Sequence, residues 1–157
     1  MIEVYVDGLC QPVNPGGVAA YGFVIYVDGR RVHEASGVAA VGEEATNNVA
    51  EYAAIIGALE WLLERGYADE EVVVRSDSQL AVRQLNGVYA VRSRRIRPLY
   101  ERVVELAEKF GSIRFEWIPR ERNLEADLLS REAYREFCCE NRDFMLERYS
   151  RWLATGK

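Results

Sequence analysis

Apolar and polar residues alternate along residues 2–7 (IEVYVD), the period of a strand with one buried face. The ten residues that follow, GLCQPVNPGG, are rich in Gly and Pro and read as a loop, which places Asp7 at the end of the first strand. Residues 18–27 (VAAYGFVIYV) and 31–41 (RVHEASGVAAV) are also strand-like. Asp28-Gly29 between them is the dipeptide of a tight hairpin, so an antiparallel meander of three strands is expected. Over residues 48–64 the period changes. Ile55, Ala58, Leu59 and Leu62 recur at helical steps, and Gly66 follows as a stop. EVVVRSD (71–77) is a Val-rich buried strand, and SQLAVRQLNG (78–87) a short helix closed by Asn86-Gly87. A longer helix is expected over residues 95–110, with Pro98 near its start, where Pro is tolerated. SIRFEWIP (112–119) is a last strand stopped by Pro119, and from Asn123 the chain reads as helical to Trp152.

Hairpin strands leading into strand–helix–strand units imply an α/β fold, one mixed sheet with helices on its faces. The 157 residues fit a single domain with a real core, residues 133–157 forming a C-terminal helical extension. No apolar run approaches the roughly 20 residues of a membrane span, and the strand-like MIEVYV start has no basic leader. A cytoplasmic monomer is the expectation. Cys10, Cys138 and Cys139 show neither the even count of a disulfide framework nor CxxC metal spacing. Reduced thiols are expected, although spacing leaves open a bridge from Cys10 to the C-terminal segment.

Charge complicates the choice of partner. A net charge of −5 argues mildly against nucleic acid. Yet residues 83–102 hold Arg83, Arg92, Arg94, Arg95, Arg97 and Arg102 against the single acid Glu101. Such a stretch is either a solvated helix face or a local basic footprint.

Four acids stand out, each with an ordinary explanation. Asp7-Gly8 is turn chemistry, but it opens a long loop rather than the tight hairpin of Asp28-Gly29. Asn48 and Glu51 have the spacing of a capping box, yet Glu51 shares the stripe of Ile55, Ala58 and Leu62 that faces the sheet. A carboxylate buried there needs a partner, which a cation would supply. Asp77 follows a strand, where it could cap the next helix or lie where ligands bind open α/β sheets. Asp127 near a helix start complements the dipole. Two strand ends and two helix starts can converge on one side of a sheet. Four clustered acids would then repel one another and be tolerable mainly with hard cations such as Mg²⁺ or Mn²⁺.

These segments, in this order, resemble type I ribonuclease H over nearly the whole chain. The carriers are VYVDG with NPGG, TNNVAEYAAIIGAL, SDSQL and RNLEADLLS. The resemblance implies a five-stranded mixed sheet, three antiparallel strands then two parallel, and an endonuclease cutting the RNA strand of RNA–DNA hybrids. It carries over Asp7, Glu51, Asp77 and Asp127 as catalytic ligands of two Mg²⁺ or Mn²⁺ ions, one activating water and one stabilising the departing 3′ oxygen. That chemistry leaves 5′-phosphate and 3′-hydroxyl ends. It places Asn47 and Asn48 on the RNA strand's minor-groove edge, with Asn14 and Gln79 as weaker substrate contacts. Thr46 resembles a residue that helps hold a DNA-strand phosphate.

The chain also departs from the family. Many members carry a His before the last helix, whereas the only His here, His33, lies in the hairpin. The segment Ile118-Pro119-Arg120-Glu121-Arg122-Asn123 is shortened, and Arg120 stands nearest that place. The basic protrusion of some members is missing, and Glu44 replaces a phosphate-binding Arg. These changes leave room for broader substrates, double-stranded RNA among them. A quiet hybrid-binding module and a nuclease acting on DNA are the competing readings. The four acids speak against the first and the TNN segment against the second.

Overall fold

Alternation and turn chemistry place the first three strands where expected. In the computed structural model, which describes residues 1–153, β1 is Ile2–Gln11, β2 Val18–Val27 and β3 Arg30–Val41. The two residues between β2 and β3 are Asp28 and Gly29, and Asp28 takes a φ of +50°, the conformation that an Asp-Gly hairpin needs. The chain continues as α1 (Asn47–Glu64), β4 (Glu71–Ser76), α2 (Gln79–Leu85), α3 (Arg97–Ala107) and β5 (Ser112–Trp117). It ends with a short 3-10 turn (Arg120–Arg122), α4 (Leu124–Glu140) and α5 (Arg142–Leu153). No helix among the described residues is long and apolar enough to cross a membrane.

The sheet has five strands in the order β3-β2-β1-β4-β5. β1 pairs antiparallel with β2, and β2 with β3, while β1–β4 and β4–β5 are parallel. Ile2, Val4 and Val6 of β1 and Val72 and Val74 of β4 turn one face toward α1 and α3, where Tyr52, Ile55, Leu59, Leu62, Val103 and Leu106 bury. Each such side chain contributes about 1.5–3 kcal/mol. On the opposite face, α4 crosses β1, β2 and β3. Gly22 makes that crossing close, because a Cβ there would stand 2.6 Å from the Leu129 Cβ and 2.8 Å from the Ala126 carbonyl oxygen.

Four local expectations differ from what forms. β1 does not stop at Asp7. Its residues 8–11 still pair with β2, although pairing with β4 ends at Val6–Ser76. The final helical stretch is broken at Asn141 (φ −130°, ψ 43°), which lets α5 pack Met145 and Tyr149 against Val18. Thr46 caps α1 by accepting the Val49 N–H, so Asn48 and Glu51 form no capping box. The Arg-rich stretch is no single helix face. It spans α2, an irregular segment holding Arg92, Arg94 and Arg95, and α3. Cys10, Cys138 and Cys139 are free thiols, as the composition suggested.

Gly22→Ala is expected to destabilise the fold by about 1–3 kcal/mol in a denaturant titration, because neither the Leu129 side chain nor the Ala126 backbone can give way cheaply.

Candidate metal and nucleic-acid site

Val6 and Ser76 form the last rung of the parallel β1–β4 pair, so Asp7 and Asp77 leave that rung side by side. This is the carboxyl edge of two parallel strands, where open α/β sheets bind ligands. Glu51 reaches the same edge from the second turn of α1. Gly8 makes this possible: a Cβ there would lie 2.5 Å from the Glu51 nitrogen and 2.6 Å from the Ala50 carbonyl carbon. Only hydrogen fits between strand and helix at that point. Glu51 accepts hydrogen bonds from the Ser76 hydroxyl and the Gly8 N–H. The Ser76 oxygen itself accepts the Ser78 N–H at 3.0 Å, while the Ser78 hydroxyl caps α2 by accepting the Ala81 N–H at 3.1 Å. Ser78 thus takes the capping role that the sequence left open to Asp77.

Carboxylate oxygens of Asp7, Glu51 and Asp77 lie within 4.8 Å of one another. Asp127, in the first turn of α4, lines the same cleft of about 680 Å³ and contacts Asp7, while its carboxylate pairs with Arg131 at 3.0 Å. Asn123 sets that turn in place. Its Nδ2 donates to the Val6 carbonyl at 2.8 Å, and its own carbonyl accepts the Asp127 N–H at 3.1 Å.

Burial, then repulsion from Glu51 and Asp77, pushes the Asp7 carboxyl from 3.8 up to about 9. Burial also raises Glu51, with Asp77 adding to the effect and the Ser76 and Gly8 donors opposing it. Asp77 is raised by burial and partly relieved by the nearby Arg120 guanidinium. The donor set is all oxygen, half to fully buried and mutually repelling, which fits a hard divalent cation.

Asn47 and Asn48, at the start of α1, line the cleft. Asn48 Nδ2 donates to Gln84 Oε1 at 3.3 Å, an oxygen that also accepts the Tyr52 hydroxyl at 2.8 Å. The buried Asn48 Oδ1 has no partner. Asn14 sits behind this edge, its Oδ1 accepting the Asn47 N–H at 3.1 Å. Thr46 serves as the α1 cap, and Gln79, exposed at the first position of α2, does not line the cleft. Arg120 does line it. His33 is outside it, stacked on Trp61 with ring centroids 4.4 Å apart.

Sequence reasoning passed over Gly8, Ser76, Asn123 and Arg131. The first two lie inside the strings VYVDG and SDSQL, and Arg131 stands four residues after Asp127 on one helix face. Asn123 lies inside RNLEADLLS, but its partner Val6 could not be read from that string.

Residues 6–133 match the family model described as reverse transcriptase-like. A bifunctional protein of Mycobacterium tuberculosis is 38% identical over 120 residues, which make up 76% of this chain and only 32% of that relative. The chain therefore spans about a third of that relative's length. The structure of RNase H1 from the halophilic archaeon Halobacterium salinarum is similar, with a TM-score of 0.76 at 34% identity, covering 86% of this chain and 98% of that one. LC11-RNase H1, solved in complex with an RNA/DNA hybrid, gives a TM-score of 0.76 at 40% identity over 85% and 96% of the two chains.

The electrostatics give a signed pH dependence. Asp7 holds its proton more tightly when folded than when unfolded. Its contribution to stability is thus complete below 3.8 and is lost as pH rises toward about 9. With a chelator present, the melting temperature should fall across that window, and Mg²⁺ or Mn²⁺ should restore it most at the alkaline end. A Glu51→Gln variant should melt higher than wild type without metal at neutral pH and lose the metal response. Equal metal shifts in both proteins would contradict a cation site at Glu51.

Proposed function

The chain belongs to the type 1 ribonuclease H family, and from that membership we propose that it is an endonuclease hydrolysing the RNA strand of RNA–DNA hybrids. The observation that carries this reading is the trio Asp7, Glu51 and Asp77 within 4.8 Å of one another at the carboxyl edge of β1 and β4. A module that merely bound a hybrid would have no use for a repelling cluster at the floor of its cleft. In this reading Asp7, Glu51, Asp77 and Asp127 hold two Mg²⁺ or Mn²⁺ ions. Cations bound there supply positive charge at the scissile phosphate and at its attacking and departing oxygens, consistent with 5′-phosphate and 3′-hydroxyl products.

The protein's own part is placement. Gly8 and Ser76 hold Glu51 at the sheet edge, and Asn123 holds Asp127 over it. Asn47 and Asn48 flank the acids on the cleft wall, where the exposed Asn47 amide suits the 2′-hydroxyl, the group that marks RNA, while the Asn48 amide is tied back to Gln84 with its oxygen buried. By the family resemblance Thr46, the α1 cap, would help hold a DNA-strand phosphate, and Asn14 acts through Asn47. Gln79 would meet substrate only beyond the cleft wall. Arg120, whose charge already reaches Asp77, takes the place of the absent loop His in contacting phosphate or departing product.

The test is cleavage of labelled hybrid, double-stranded RNA and double-stranded DNA with Mg²⁺ or Mn²⁺. Wild type is expected to cut the RNA strand of the hybrid, and Asp77→Asn to lose at least about 10²-fold in rate. Double-stranded RNA, if cut, keeps the mechanism and widens the substrate. No cleavage with either metal would favour the hybrid-binding module. Arg120→Ala is expected to lower turnover about 10²-fold, the lower end of the range for removing one positioned donor, and unchanged turnover would remove Arg120 from the mechanism.

A further inference from the structure

α5 lies beyond residue 133, where the family match ends, yet its side chains reach the segment behind the cleft. Tyr149, 1% exposed, donates its hydroxyl to the Gly16 carbonyl at 2.8 Å, with the Gly17 carbonyl at 3.3 Å. Met145 packs beside it on Val18, the first residue of β2. The 12–17 segment is in turn tied to the residues before α1. The Gly16 N–H donates to the Ala45 carbonyl at 3.0 Å, and the Gly42 N–H to the Gly17 carbonyl at 2.9 Å. α5 touches that second segment too, since a Cβ on Gly42 would stand 3.3 Å from the Arg148 guanidinium. Two residues before Gly16, Asn14 accepts the Asn47 N–H at 3.1 Å.

We propose that α5 is a buttress for the substrate-binding edge and that Tyr149 is its positioning residue. Through Gly16, Asn14 and the Ala45 carbonyl, Tyr149 fixes the first turn of α1 so that Asn47 and Asn48 meet the RNA strand at a set place. This rests on the nuclease reading for what Asn47 and Asn48 contact, but the hydrogen-bonded path itself does not. A buried phenol that loses its hydroxyl keeps its packing, so Tyr149→Phe removes the tether and little else. The two segments it joins have no regular secondary structure of their own, so a freed tether lets them shift. A ligand then pays to reorder them, and affinity falls.

The experiment measures hybrid affinity with the Asp77→Asn protein in Mg²⁺, with Tyr149→Phe and Asn14→Ala added singly and together. Tyr149→Phe should raise Kd about fivefold, the size expected for one lost hydrogen bond. Asn14→Ala should do the same, and the pair no more than either alone, because both act on one path. In the cleaving protein, Tyr149→Phe should raise KM and leave kcat unchanged, and exchange of the Asn47 amide hydrogen should quicken. A lower melting temperature with unchanged Kd would reduce α5 to a stabilising element and overturn the proposal, as would effects that multiply. Wild type that binds hybrid without cutting it would end the nuclease reading and leave the buttress standing. Wild type that does not bind hybrid would end both.

Discussion

Like charges at close range resist being folded together, and at an effective dielectric of about 20 a pair roughly 4 Å apart repels by about 4 kcal/mol. The cleft holds Asp7, Glu51 and Asp77 within 4.8 Å of one another, and the rest of the molecule is arranged around enforcing that. Two of the acids are placed by register alone, since they directly follow the Val6–Ser76 rung. The third depends on the contact between β1 and α1, where Gly8 admits the Glu51 backbone to within a distance no other residue would allow. A core of fully buried aliphatic side chains on β1, β4, α1 and α3 supplies the stabilisation that holds this contact closed.

The acids are not left bare. Glu51 has the Ser76 hydroxyl and the Gly8 N–H, Asp77 has the field of Arg120, and Asp127 has Arg131. At Glu51 and Asp77 these partners do not cancel burial, and the Asp7 carboxyl remains far above its ordinary range. The site is therefore poised to take up positive charge, from protons at low pH or from a divalent cation at neutral pH. It also explains how a chain of net charge −5 can serve a polyanion. Four of the acids are gathered where cations would neutralise them, and Arg120 and Arg131 stand on the cleft wall.

Support comes from both faces of the sheet and from both ends of the chain. α1 approaches one face, and α4 approaches the other through Gly22. Asn123 ties the start of α4 to β1 across 117 positions of sequence. α5 then closes on the segment that backs Asn14 and Asn47. Residue 133 falls inside α4, so the sheet-crossing helix runs past the end of the family match before the chain breaks at Asn141.

Periodicity and turn chemistry are local, so they were legible in the sequence. The alternation of residues 2–7, the helical step of Ile55, Ala58 and Leu62, and Asp28-Gly29 each state their own conformation within a few positions. Asp7 and Glu51 sat awkwardly for their ordinary roles, whereas Asp77 and Asp127 fitted theirs, and it was the conjunction and the motif order that singled out all four. Local signals also misled. GLCQPVNPGG reads as loop, yet its first four residues are strand because β2 offers them hydrogen-bond partners. Asn48 and Glu51 have capping-box spacing, but Thr46 holds the cap and Glu51 turns to Ser76 instead. Asn141 is a residue that can stop a helix, but the helical pattern on both sides hid the break, and only the packing of Met145 and Tyr149 on Val18 shows where α5 goes. Asn123 on Val6, Ser76 on Glu51 and Tyr149 on Gly16 are pairings between residues 25 to 133 positions apart. Such pairs leave no mark on the period of either segment, because each exists only once packing has brought the two together.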